Sequence, residues 1–110
     1  MNKLKNLAKE YFHHFSNKDI SNLKKMFDSN INLRDWEIDE KGIESVCKAN
    51  LKIFNAVESI NVFPRVIVSE NNYIFAELEI IINSKDSIKV VDIIEFNDDQ
   101  KIINIRAFKG

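Results

Sequence analysis

Ile88-Lys89-Val90-Val91-Asp92-Ile93-Ile94-Glu95-Phe96 is a β-branched run that ends in the polar cluster Asn97-Asp98-Asp99-Gln100. A second run, Lys101 to Phe108, follows at once, so the pair predicts an antiparallel hairpin. Side chains two apart share a face of a strand, which sets Ile88, Val90, Asp92, Ile94 and Phe96 on one side. If Asp98 and Asp99 form a two-residue turn, Asn97 pairs with Gln100 and Asp92 lies opposite Ile105. Ile103 and Ala107 are then its other neighbours on that face. A carboxylate enclosed by aliphatic carbon either gains hydrogen bonds or keeps its proton with a raised pKa. Asp92 is therefore read in two ways: a structural side chain satisfied by a neighbour or a water, or a functional acid in an apolar pocket.

Upstream of this hairpin the hydrophobic period is also 2. Tyr73 to Asn83 predicts a long strand with Ile74, Ala76, Leu78, Ile80 and Ile82 on one face and Tyr73, Phe75, Glu77, Glu79 and Ile81 on the other. Ile60 to Ser69 predicts another, with Pro64 marking a bulge or an edge because it has no N–H to give. Glu70-Asn71-Asn72 and Ser84-Lys85-Asp86-Ser87 are the turns between them.

Before Ile60 the period is helical. Leu4, Leu7, Ala8, Tyr11, Phe12 and Phe15 predict a first helix over about Lys3 to Phe15. Asn17 and Asp19 supply start signals for a short second helix carrying Ile20, Leu23, Met26 and Phe27, which Asp28-Ser29-Asn30 stops. Ile31 and Leu33 alternate in a short strand ending at Arg34-Asp35-Trp36, and Glu37 to Gly42 reads as a charged loop. Ile43, Val46, Cys47, Leu51, Phe54 and Val57 form the stripe of a third helix. Three helices, a short strand between them and a four-strand meander make an α+β pattern: a single domain over residues 1–110, with a curved, mostly antiparallel sheet wrapping the helices into a cone.

Composition narrows the chemistry. The 110 residues are 45% hydrophobic and 30% charged, which is ordinary for one globular domain. Sixteen basic residues against seventeen acidic, with no basic stripe carrying interleaved aromatics, argue against a nucleic-acid partner. Lys3 and Lys5 are not followed by an apolar signal segment, and no 18-residue apolar run predicts a membrane span. Cys47 is the single cysteine, which excludes an internal disulfide and fits a reducing, cytoplasmic setting. No cluster has zinc-ligand spacing, His13 and His14 diverge by about 100° on a helix, and two glycines cannot build a phosphate loop, so no metal or cofactor is expected.

Two segments carry a family resemblance. Tyr11-Phe12-His13-His14, Asp19-Ile20, Met26-Phe27 and Asp35 resemble, without a gap, the ketosteroid isomerases of the nuclear transport factor 2-like superfamily. Val91-Asp92-Ile93-Ile94-Glu95-Phe96, Lys101-Ile102 and Arg106-Ala107-Phe108 resemble the final hairpin of the same group and of its SnoaL-like polyketide cyclase relatives. The resemblance covers nearly the whole chain. It implies that Asp35 takes a proton next to a carbonyl while Tyr11 and a protonated Asp92 donate to the enolate oxygen, an arrangement known from ketosteroid isomerase itself. The pocket it implies is walled by Phe15, Trp36, Phe54 and Ile94, and on the last strand by Ile105, Ala107 and Lys109.

The chain departs from the isomerases where two tyrosines that support the helical Tyr are replaced by Phe27 and Asn50. Lys109 stands where they carry an aromatic wall residue, which turns the expectation from a steroid toward a smaller or anionic ligand. The residues alone also allow Tyr11 as a core tyrosine and Asp35 as a loop cap. Three functions follow: an isomerase, cyclase or dehydratase acting beside a carbonyl; a module of the same fold that binds a small apolar ligand without turnover; and a structural or association domain whose polar pocket residues only satisfy one another, which a pocket filled by Trp36 or Phe54 would favour. On the outer face, Tyr73, Phe75, Ile81, Val91 and Ile93 are too apolar for water, which predicts a homodimer.

Overall fold

The computed structural model describes residues 3–110. α1 spans Lys3–Ser16 and buries Ala8, Tyr11 and Phe12, the centre of its apolar stripe. α2 spans Ile20–Met26 and is opened by Asp19, whose carboxylate accepts from the Asn22 backbone N–H at 3.2 Å and from the Asn22 side chain at 2.6 Å. β1 (Phe27–Arg34) and β2 (Asp39–Lys41) form a hairpin ahead of α3 (Ile43–Ala56). β3 (Ile60–Glu70), β4 (Tyr73–Ile82), β5 (Asp86–Phe96) and β6 (Ile102–Lys109) complete the chain.

The six strands lie in the order β2-β1-β6-β5-β4-β3, all antiparallel except the parallel pair β1–β6. Register shifts in β1 between Phe27 and Asn32, in β3 between Pro64 and Val66, and in β5 between Glu95 and Phe96 bend the sheet. The α+β architecture expected from the sequence is present, and Pro64 sits at both a bulge and an edge strand. Between the helices and the inner face of the sheet lies the core, with Phe12, Leu23, Ile31, Leu78, Ile94 and Phe96 almost wholly buried. Two contacts clasp the helical layer. The Lys18 ammonium donates to the carbonyls of Val57 and Glu58 just past α3, at 2.6 and 3.0 Å, and Ser16 Oγ accepts from Val62 N–H on β3 at 2.8 Å.

The structure corrects the sequence reading at five places. The β5–β6 turn is longer than two residues: Asn97 Oδ1 accepts from the N–H groups of Asp99 and Lys101, and Gln100 takes φ 62°. The register slips by two, so Asp92 faces Ala107 rather than Ile105. A slip of two keeps every side chain on its face. The bulge beyond Glu95 pairs Phe96 with Ile102, and Ile102 rather than Ile103 is the fully buried residue there. Phe27 starts β1 instead of closing α2, and Asp28-Ser29-Asn30 lie within that strand. The charged segment 37–42 contains β2, which the sequence reading took as loop. Finally, Leu51 is exposed and Asn50 occupies the inward stripe of α3 between Cys47 and Phe54.

The outer face of the sheet leaves Val66, Val68, Phe75, Val91 and Phe108 exposed. Pairing sets Val66, Glu77, Val91 and Phe108 in one cross-strand row, and Val68, Phe75 and Ile93 in the next. Among the described residues no helix is long and apolar enough to cross a membrane.

Candidate functional site

Asp92 is positioned by its two neighbours in the sheet, Ala76 on β4 and Ala107 on β6. Methyl groups on both sides leave space where larger residues would close over the carboxyl. One step away in either direction, Val90 and Ile94 are buried against the core. Asp92 itself is 8% exposed, and no hydrogen bond reaches its carboxyl from the described residues. Burial pushes its pKa up to about 7, and the negative charge of Asp35 adds to the rise. Near neutral pH the acid and its anion are both populated.

Tyr11 enters from α1. Its ring is fixed by aromatic packing, with Phe12 edge-on at 5.5 Å, Phe15 at 6.0 Å and Phe27 at 6.3 Å between centroids. Burial raises the phenol well above its ordinary value, and the charges of Asp92 and then Asp35 act in the same direction. The hydroxyl therefore stays protonated and is a donor throughout the working pH range.

Asp35 owes its place to the β1–β2 hairpin. Its Oδ1 accepts from the N–H groups of Glu37 at 2.7 Å and Ile38 at 2.6 Å, and its own N–H donates to the Ile38 carbonyl at 2.9 Å. These bonds form an Asx turn that aims the carboxylate. Oδ2 has no hydrogen-bond partner among the described residues. The neighbouring Arg34 does not pair with it but with Asp39, at 2.8 Å on the surface.

Tyr11, Asp35 and Asp92 line one cavity of about 340 Å³, within the range of small-ligand pockets. The half-buried Asp35 is near the mouth, and Tyr11 and Asp92 are deep. Aliphatic side chains from both long strands, including Leu78, Ile80 and Val90, make most of the wall. Trp36, 45% exposed, stands at the mouth, with the Lys109 ammonium 5.9 Å from its ring centroid.

Of the wall residues expected from the sequence, Phe15, Trp36, Ile105, Ala107 and Lys109 line the cavity. Phe54 and Ile94 do not. Phe54 lies behind Phe15, edge-on at 4.9 Å, because the third-helix stripe presents it to the helical layer. Ile94 pairs with Ile105 and Ile74 in the closed core beyond Asp92. Neither Trp36 nor Phe54 fills the space.

The sequence reading set Asn50 at the place of a tyrosine that supports the helical Tyr in the isomerases, and did not count it among the cavity walls. It lines the cavity, is 2% exposed, and its Nδ2 has no hydrogen-bond partner among the described residues. A polar residue in an otherwise apolar helical stripe was the signal available for it. Among the described residues, no group of three or more His, Cys, Asp or Glu side chains could hold a metal ion.

Neither a protein-family model nor a curated protein sequence matches the chain. Solved structures do. The epoxide hydrolase/cyclase-like enzyme SalBIII, of pyran ring formation in polyether salinomycin, superposes with a TM-score of 0.87 at 19% identity, covering 99% of this chain and 92% of that one. A SnoaL-like protein of unknown function from Burkholderia thailandensis gives 0.85 at 8% identity, covering 97% and 93%. An NTF2-like protein of unknown function from Cytophaga hutchinsonii gives 0.83 at 14% identity, covering 98% and 90%. At such identities these likenesses show the fold, which is NTF2-like.

Proposed function

From the NTF2-like fold and the cavity it encloses, we propose that the protein binds a small, largely apolar carbonyl compound and moves a proton at the carbon beside the carbonyl. The observation that carries this reading is the division of labour in one apolar space. A fixed carboxylate with a free oxygen, Asp35, lies near the mouth, and two donors, the Tyr11 phenol and the acid form of Asp92, lie deep. Asp35 takes the α-proton, and the C–H electron pair becomes the enolate π-bond. The charge gathers on the carbonyl oxygen, where Tyr11 and Asp92 donate hydrogen bonds that low dielectric strengthens. Return of the proton from Asp35 to the γ-carbon gives an isomerase; loss of a β-leaving group or ring closure gives a lyase or a cyclase. No cofactor is required. That SalBIII is an epoxide hydrolase/cyclase-like enzyme agrees with acid–base work in such a fold.

The test is the conversion of cyclohex-3-enone to conjugated cyclohex-2-enone, read by absorbance with the purified protein. Turnover above the buffer rate is expected. Binding without turnover would favour the second reading, a ligand-binding module. That alternative draws on the two N–H bonds that hold Asp35 Oδ1, which suit a structural turn as well as an aimed base.

The proposal extends to assembly. The apolar rows around Phe75 and Val91 form a self-complementary patch that a two-fold contact would bury. A dimer mass by light scattering at micromolar concentration is expected, with Phe75→Lys shifting it to the monomer. A monomeric parent protein would remove the dimer and leave the cavity chemistry untouched.

A further inference from the structure

Lys109 is a cation on a face of the sheet that is otherwise apolar around it. The register pairs it with the buried Val90, so its stem rises from the inner face of β6, in line with Ile105 and Ala107. From Ile88 to Phe96 on β5 and from Ile105 to Lys109 on β6, the inward residues are apolar except Asp92 and Lys109. A lysine so placed lays its stem on apolar surface and carries its head to water. Here the head stands over Trp36, 5.9 Å from the ring centroid, and both residues line the cavity mouth. Asp35 and Glu37 line the same cavity, yet neither forms an ion pair with Lys109, nor does any other carboxylate among the described residues.

Just outside the mouth lies a shallow hollow. β1 ends its pairing with β6 at Arg34 and Arg106, and β6 runs on through Ala107, Phe108 and Lys109 with a strand on one side only. Arg34 and Phe108 line this gap together with Asp35, Trp36, Ala107 and Lys109, the four residues it shares with the cavity. Arg34 is engaged by Asp39, which leaves Lys109 as the unpaired cation of the hollow. A ligand too long for the cavity passes out beside that ammonium. A cationic end group there would instead pair with the free oxygen of Asp35 and block the base.

We propose that Lys109 is a specificity residue that binds a carboxylate at the outer end of the ligand, which makes the substrate a long keto acid. This rests on the carbonyl-pocket reading and narrows it. The spacing follows from the strand. Asp92 faces Ala107, and Lys109 lies two residues farther along β6, a rise of roughly 7 Å. The ligand's carbonyl and carboxylate therefore stand at opposite ends of an apolar frame, roughly 7 Å or more apart. A 2-oxo acid, whose two groups adjoin, does not reach both.

The experiment compares fluorescence titrations of 6-hydroxy-2-naphthoate and its methyl ester, which share a shape and differ in charge. At low ionic strength and about pH 6, where Asp92 keeps its proton, the parent protein is expected to bind the acid about fivefold more tightly than the ester. In about 0.5 M salt that advantage is expected to shrink below twofold. Lys109→Gln is expected to bring the ratio of the two affinities to about one, and Lys109→Glu to invert it. A merely structural hold on Trp36 would weaken both probes together and leave the ratio as it was. For 3-hydroxy-2-naphthoate, whose two groups adjoin, the parent is expected to show no advantage over the corresponding ester. Equal or tighter binding of the 6-hydroxy ester by the parent, as repulsion from Asp35 and Glu37 would give, overturns the proposal and leaves the carbonyl pocket standing. So does an unchanged ratio in both Lys109 variants, or an equal advantage for the 3-hydroxy acid. Binding of none of the probes by the parent overturns both.

Discussion

Asp35→Asn is expected to lower kcat for the β,γ-unsaturated ketone by about 10²- to 10⁴-fold, the range general-base catalysis supplies. KM should change little, because the amide occupies the same volume. The substitution separates chemistry from structure unusually well at this position. Asn can still accept at Oδ1 from the Glu37 and Ile38 N–H groups, so the β1–β2 turn keeps both bonds. What it cannot do is take a proton on Oδ2. A melting temperature equal to the parent's, with turnover gone, is the expected pair of results. Retention of more than a third of the parental kcat would move the base elsewhere and return Asp35 to a turn-capping role.

The second large effect is on stability and depends on pH. Asp92 holds its proton up to about pH 7 when folded, against an ordinary carboxyl value of 3.8. Below pH 3.8 both states are protonated, and Asp92 adds no pH dependence. Between 3.8 and about 7 the unfolded chain loses the proton while the folded one keeps it, so folding stability falls as pH rises. Above about 7 both are ionised and the loss is complete, on the order of 4 kcal/mol. Asp92→Asn keeps the shape and a donor without that ionisation, so it removes this slope. Urea unfolding is expected to find the variant no less stable than the parent at pH 5 and more stable by a few kcal/mol at pH 8. The same variant should lower kcat only modestly, since an amide N–H still donates to the enolate oxygen. It should also lack any fall in activity near pH 7 that ionisation of Asp92 imposes on the parent. A variant less stable at pH 8 by several kcal/mol would mean that Asp92 is a charged structural residue with a cationic partner.

How much of this was legible in the residues depends on whether the information is local. The α1 stripe through Tyr11 and the inner face of β4 follow from periods of 3.6 and 2, and both stand in the structure. Asp92 was correctly placed on the inner face because face needs only parity, whereas its partner needs the length of the turn. That length was set by the Asn97 side chain closing a loop through two N–H groups, a choice invisible in a polar tetrapeptide. β2 carries Asp39, Glu40 and Lys41, all exposed, and forms because β1 offers it an edge; nothing in its own residues asks for a strand. Phe27 was drawn from α2 into β1 by a parallel partner, Ile102, far along the chain. In the site, the identities of Tyr11, Asp35 and Asp92 were visible, but the depth of the wall was not. Phe54 and Ile94 sit one layer behind it, and Asn50 stands in front where Leu51 had been expected to take the stripe.

The strand order carries a consequence for biosynthesis. β6 is synthesised after β1 to β5, yet it lies inside the sheet, with β1 on one side and β5 on the other. While a ribosome is still making it, the β1–β2 hairpin has no neighbour to join, and the meander β3 to β5 has an open flank. The nascent chain therefore has its sheet in two halves, tied only through the contact of the helical layer with β3. One holds Tyr11 and Asp35; the other holds Asp92. A single late segment must thread between them before the cavity exists at all. Non-local pairing of this kind is slow, because the loop entropy is lost before the contacts form. In pulse-labelled hydrogen exchange, protection of β1 amides should accordingly appear together with that of β6, later than protection within the β3–β4 hairpin.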